Sequence, residues 1–565
     1  MNQYQISPNP GGHRFTITAE LAYRPGEINE IYLPVWIAGS YMRRDFSKYL
    51  SHLGAEDELG TPLVLQQVAP SRWLLDCRGL AGGGLVRLHY QFYGHDVSVR
   101  QCYLDHKRAI FNPAAACLTV KGLEQEPCSL AFDLGEKRQH WQVAPGALAF
   151  CTDYYELADT PFLLAEKLTK FSFPVQGVNH DFYISGDCSG FNLERLAEDC
   201  RRGCEEAHRL FGAFPPAIDD RYCFLLHLVE KGHGGLEHRR SSLLMQGRDA
   251  MATEEKYADL MGLIVHEYFH SWHVKDLKPA TYQPYQLQAE QPDDLLWLFE
   301  GYTAYFDNYL LQRADIIGQQ QYLDLIAADL EKLYRWPGRF VQTLAQSSIE
   351  AWTKFYAGGE DALNISVNYY CQGSFAALLT DLWLRQHGRS SLGQLLAQLW
   401  RNYRHSGRGL SEADFRQQAA ELLPRELREE FNKLLDRLLH HPGELPLDVA
   451  LLDFGLALER YSEHSCSPGF RWQGSRVSWL DEHSPAARAG VAVGDELLTI
   501  DGLSVADQGE FLKEKLLLNT PDREVRLQVR RDGEIFEFTF LLIAPELERV
   551  RLTVINQQQL SRWLD

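Results

Sequence analysis

His266-Glu267-Tyr268-Phe269-His270 is the stretch on which the reading of this chain turns. On a helix, His266 and His270 stand one turn apart on one face, where both imidazoles can reach one ion. Glu267, one position round, can bond a water on that ion. Two imidazoles with a carboxylate suit zinc. The flanks support a helix from Glu254 to Trp272, because Tyr257, Leu260, Met261, Ile264, Tyr268 and Phe269 recur at helical spacing and would bury one side in a core.

A catalytic zinc needs a third protein ligand and an open position. The next helical window, Leu295 to Arg313, contains Trp297-Leu298-Phe299-Glu300-Gly301-Tyr302, with a single carboxylate among aromatics. A buried charge needs a partner, and a ligand role for Glu300 supplies one. Asp276 competes, since it stands where the extended metzincin motif puts its last ligand. That motif requires a glycine where this chain has His273. His273 is more simply a residue at the helix end or around the ligands.

Working outward, the residues from Arg14 to about Phe173 have a strand texture, with period-two alternation in Phe15 to Leu21 and in Leu85 to Phe92, which predicts a β-sandwich-like domain. Long helical windows follow at Leu193 to Phe211, Glu254 to Trp272, Leu295 to Arg313 and Gln319 to Leu333. Tyr222 to Val229 and Ser242 to Met245 read as buried strands of a small sheet before the motif. The last hundred residues return to strands, with a hairpin signal at Asp532-Gly533. His440 to Pro446 is the best linker candidate. The expected division is 1–173 β-rich, 174–445 catalytic and mainly helical, and 446–565 a third β-rich module, an α+β chain overall.

A length of 565 residues agrees with three or four domains at about 150 residues each. With 45% hydrophobic and 23% charged residues, the chain is neither disordered nor fibrous. A formal charge of −20 argues against nucleic acid and anionic membranes as partners. The N-terminus has no signal-peptide pattern, no apolar run reaches a membrane span, and the 11 cysteines include no CxxC; the expected place is the cytoplasm.

At this point the chain resembles the glycyl aminopeptidase family of zinc metallopeptidases, gluzincins distantly related to aminopeptidase N. The residues that carry the resemblance are Leu33-Pro34-Val35-Trp36-Ile37-Ala38-Gly39-Ser40-Tyr41-Met42-Arg43, Gly234-Gly235-Leu236-Glu237-His238, the zinc motif with Trp272 and Val274-Lys275, Phe299-Glu300-Gly301-Tyr302-Thr303, and Asn368-Tyr369-Tyr370-Cys371-Gln372-Gly373. The resemblance implies a thermolysin-like catalytic domain holding one Zn2+ on His266, His270 and Glu300. It implies Glu267 as the general base toward a zinc-activated water and Tyr370, rather than Tyr369, as the donor to the oxyanion. It further implies that Gly234, Gly235 and Glu237 bind the substrate, the glutamate pairing with a free α-amine. Peptide substrates with a small N-terminal residue, glycine or alanine, follow. The family usually has Asn in place of His273 and Lys in place of Gln372, which bears on tuning and preference and leaves the ligands untouched.

Ser484-Pro485-Ala486-Ala487-Arg488-Ala489-Gly490, followed by Val491 to Gly502, looks like a bacterial-type PDZ domain, with Pro485 in the first helical turn and Gly490 at its end. Phe454-Gly455-Leu456-Ala457 would fit its carboxylate-binding loop, beside a groove that takes a peptide ligand by strand addition. Two alternatives to the aminopeptidase stand: a zinc endopeptidase using the same site, and a scaffold that binds peptides through the PDZ-like module with little catalysis.

Overall fold

The structure is a computed structural model that describes residues 1–37, 39–388, 390–545 and 547–564; Ala38, inside the Leu33 to Arg43 stretch, lies outside them. The chain forms two compact units, one of residues 1–293, 306–317 and 393–418, the other of 294–305, 318–392 and 419–565.

In the first unit, alternation in Arg14–Ala22 and Leu85–Tyr93 puts Phe15, Ile17, Ala19, Leu21, Val86, Leu88, Tyr90 and Phe92 inside. The two strands pair antiparallel with Ile17 opposite Tyr90. They lie in a six-stranded sheet ordered Leu148–Cys151, Cys128–Phe132, Asn2–Asn9, Arg14–Ala22, Leu85–Tyr93, Leu50–Glu56. Two four-stranded sheets share the same core, giving the expected β-rich N-terminal part.

A five-stranded mixed sheet follows, ordered Thr169–Val175, Val178–Ser185, Arg221–Val229, Ser241–Gly247, His233–Glu237. Its three central strands are parallel, and the run Tyr222 to Val229, apolar but for His227, suits a strand covered on both faces. His233–Glu237 forms one edge, antiparallel to Ser241–Gly247. The helix Glu254–Phe269 starts at Thr253, whose side chain accepts from Lys256 N–H, with Glu254 and Glu255 in the first turn where the helix dipole favours them. It ends earlier than the sequence pattern suggests. His270 is its cap, and the Ser271 and Trp272 N–H groups donate to Tyr268 and Phe269 in tighter turns.

Two fully buried histidines lie in this sheet. His180 bonds Tyr268 Oη at 2.8 Å and the Val178 carbonyl at 3.1 Å, and His227 bonds Ser185 Oγ at 2.8 Å. Burial pushes their pKa values down to about 4 and about 3. A histidine held neutral in the fold but free to charge when unfolded stabilises fully above about pH 6.5, and that contribution fades as pH falls toward the folded value. It amounts to about 3 kcal/mol each by pH 4. Thermal melts of the protein should therefore fall steeply between pH 6.5 and 4. In His180→Gln, the proton uptake on unfolding near pH 5 should shrink by about one; an unchanged slope would refute the assignment.

In the second unit, the helices Gln319–Tyr334, Tyr369–Trp383 and Arg428–His440 precede a sheet of Phe470–Gln473, Arg476–Leu480, Glu496–Ile500, Glu524–Arg531 and Glu534–Leu541. Its core includes Trp472, Val477, Leu497, Leu527 and Val529. The Ser484 side chain caps Pro485–Ala489, Gly490 ends it at φ 105°, and Asp532-Gly533 turns the last hairpin at φ 51° and 85°. These agree with the PDZ-like reading, but the proposed carboxylate loop does not. Leu456–Tyr461 pairs residue by residue with Arg549–Val554, outside that sheet, and Gly455 N–H already donates to Leu452. A cavity of about 350 Å³ in this unit is lined by residues that include Phe470, Trp472, Lys513 and Leu517.

Among the described residues no helix is long and apolar enough to cross a membrane, and all 11 cysteines are thiols.

Candidate metal and peptide site

The first unit brings His266, Glu267, His270 and Glu237 together. His266 Nδ1 lies 3.3 Å from Asp307 Oδ2, and His270 Nδ1 lies 2.9 Å from the His273 carbonyl oxygen. Each partner accepts, so each Nδ1 carries the proton and each Nε2 presents a lone pair. The two Nε2 atoms are 3.1 Å apart. Two lone pairs aimed at each other at that separation repel unless a cation lies between them. Two bonds of about 2.0–2.1 Å at a tetrahedral angle would set the nitrogens about 3.3 Å apart, so the pair fits zinc.

The structure disposes of the competing ligand. Asp276 accepts from Trp400 Nε1 at 2.7 Å and faces Arg404 at 3.7 Å, and burial raises its pKa. His273 serves His270 through its backbone carbonyl, which depends little on the side chain that departs from the family pattern.

Glu267 is buried, and a Cβ built on Gly235 would overlap its carboxylate. Only glycine lets the edge strand come this close to the acid. Two residues further along the same face of that strand, Glu237 is 3% exposed, and its Oε1 has no hydrogen-bond partner among the described residues. Donor atoms of Glu237, Glu267 and His270 lie within 4.8 Å of one another. Gly39 closes the other side of Glu237: its φ is +82°, and a Cβ there would overlap the Glu237 carboxylate. Gly234 opens the strand at φ +155°.

In the second unit, Glu300 is 2% exposed on the π-helical turn Trp297–Tyr302, among buried Trp297, Leu298, Phe299 and Tyr302. Such turns often mark functional positions. A Cβ on Gly301 would meet the Gly373 Cα and the Tyr369 carbonyl, so this turn and the helix Tyr369–Trp383 touch backbone to backbone. Asn368 caps that helix by accepting from Tyr370 and Cys371 N–H. Tyr369 is wholly buried and donates to Tyr356 Oη at 3.0 Å, while the partly exposed Tyr370 lies 3.3 Å from the same oxygen.

Sequence reasoning missed two contributors. Asp307, which orients His266, is seven residues after Glu300, nearly two helical turns, and that spacing is the signal that could have found it. Gly39 lies in a quoted motif, but nothing local shows that it faces Glu237.

Comparisons agree in all three regions of the chain. The M61 glycyl aminopeptidase model matches residues 259–376, the peptidase M61 N-terminal domain model matches 3–166, and a PDZ domain model matches 457–542. Among solved structures, an aminopeptidase N family protein from Idiomarina loihiensis is 30% identical, with 100% of both chains covered and a TM-score of 0.92. An M1 zinc metallopeptidase from Deinococcus radiodurans is 14% identical over 79% of this chain and 94% of that one, TM-score 0.48. Yeast LTA4 hydrolase is 12% identical over 79% and 68%, TM-score 0.47. No curated protein matches the chain.

Proposed function

Because this chain belongs to the M61 glycyl aminopeptidase family and is a metallopeptidase, we propose that it is a zinc aminopeptidase removing small N-terminal residues, glycine or alanine, from peptides. The observation that carries the exopeptidase reading is the buried, unpartnered oxygen of Glu237 beside a second carboxylate, Glu267. A buried carboxylate without a cation is costly, and a free α-ammonium supplies both the charge and the hydrogen bonds.

His266, His270 and Glu300 hold the zinc. What supports Glu300 is its burial, its place among aromatics, and the chain's continuation into the helix Thr303–Arg313 that carries Asp307, the partner of His266. Zinc, when bound, polarises the scissile carbonyl and makes water acidic enough to ionise near neutral pH. Glu267 accepts the proton of the attacking water and returns it to the leaving amine. Tyr370 donates its hydroxyl proton as a hydrogen bond to the carbonyl oxygen as charge develops there. The edge strand His233–Glu237 lies along the peptide, where Gly234 and Gly235 let two backbones approach and Glu237 holds the amine.

The test compares glycyl or alanyl arylamides with their N-acetyl derivatives, which lack the charged amine. Acetylation is expected to lower kcat/KM by about 10²-fold or more. Equal turnover would overturn the exopeptidase reading in favour of an endopeptidase.

A further inference from the structure

The first unit has a cavity of about 320 Å³ behind the edge strand, of a size that takes a small organic molecule. Successive residues of a strand face opposite ways, so Glu237 points to one side and Leu236 and His238 to the other. Leu236 and His238 line this cavity and Glu237 does not. Most of its wall is apolar or aromatic, built from residues such as Ile37, Leu236, Tyr155, Tyr285 and Leu287.

One end is cationic. Asp159 there is saturated: it accepts from Lys275 Nζ at 2.8 Å, from His238 Nδ1 at 3.2 Å and from the Arg239 backbone N–H at 2.8 Å. Asp153, the other carboxylate on the wall, accepts from Glu156 N–H as a helix cap. What remains is positive and unmet. The Lys278 ammonium and the Arg239 guanidinium make no hydrogen bond or ion pair among the described residues. His238 is 3% exposed, and its Nε2 has no partner. Burial, with Arg239 and Lys275 nearby, lowers the Lys278 pKa to about 8 against the opposing pull of Asp159 and Asp276.

We propose that this cavity binds a small organic carboxylate with an apolar or aromatic body, its carboxylate seated against Lys278 and Arg239. Two cations outweigh the desolvation of one carboxylate. Nothing in this assignment uses the catalytic residues.

The experiment is calorimetric titration of the zinc-loaded full chain with N-acetyl-phenylalanine and with its amide. Acetylation removes the free amine that Glu237 requires, which separates the two sites. The acid is expected to bind, and the amide to bind about tenfold more weakly or worse. Lys278→Met and, independently, Arg239→Gln should each weaken the acid by about tenfold, whereas Glu237→Gln should not. If Lys278→Met fails to fold, Arg239→Gln, at a partly exposed position, carries the test alone. Tighter binding of 3-phenylpropionate would assign a free acid as the natural ligand, and of N-acetylglycyl-phenylalanine a peptide C-terminus. Equal affinity for acid and amide, no binding of either, or binding that disappears in Glu237→Gln would overturn the proposal.

Discussion

Glu267→Gln is expected to lower kcat for a glycyl arylamide by about 10³, within the 10²–10⁴ range of general bases, while the protein keeps its zinc. The substitution is isosteric, so it does not disturb the packing against Gly235. It leaves His266 and His270 in place, because their orientation rests on Asp307 and the His273 carbonyl. What it removes is an oxygen able to take a proton, since an amide carbonyl is far too weak a base. Steady-state kinetics with metal analysis of the same preparation checks both halves. Undiminished hydrolysis would refute the role of Glu267, and loss of zinc would show that the residue holds the site together instead.

Tyr370→Phe should lower kcat by about 10²–10³ with KM little changed, the signature of a hydrogen bond made only as charge develops on the carbonyl oxygen. Tyr369→Phe is the matched control. Its hydroxyl is buried and committed to Tyr356, and burial raises its pKa, so its loss should cost stability rather than turnover. A variant pair with the opposite outcome would move the oxyanion role to Tyr369.

The motif helix, two strands of the sheet before it, Tyr222 to Val229 and Ser242 to Met245, and the hairpin at Asp532-Gly533 were legible in the sequence because each depends on local period or turn chemistry. The same holds for His266, Glu267 and His270, whose spacing is itself the geometry. Groups brought together from distant segments were not legible. Gly39 makes room for Glu237 from a segment far away in the chain, and no pattern around Gly39 reports that. The Phe454 to Ala457 segment was misplaced for the same reason. Strand character in Leu456–Tyr461 is local, but its pairing with Arg549–Val554 is set by the chain nearly a hundred residues later. The π turn at Glu300, where Gly301 meets Gly373, had no local sequence signal either. For Asp276, metzincin spacing suggested a ligand, whereas the packing of Trp400 decided its partner.

The role proposed for Glu237 is to hold a free amine beside a zinc-binding pair of histidines. Its most direct test is the ratio of kcat/KM for free and N-acetylated glycyl arylamide, measured in the wild type and in Glu237→Gln. The expected wild-type ratio is about 10² or more, collapsing toward one in the variant through slower turnover of the free-amine substrate alone. A ratio that stays the same in Glu237→Gln would contradict it.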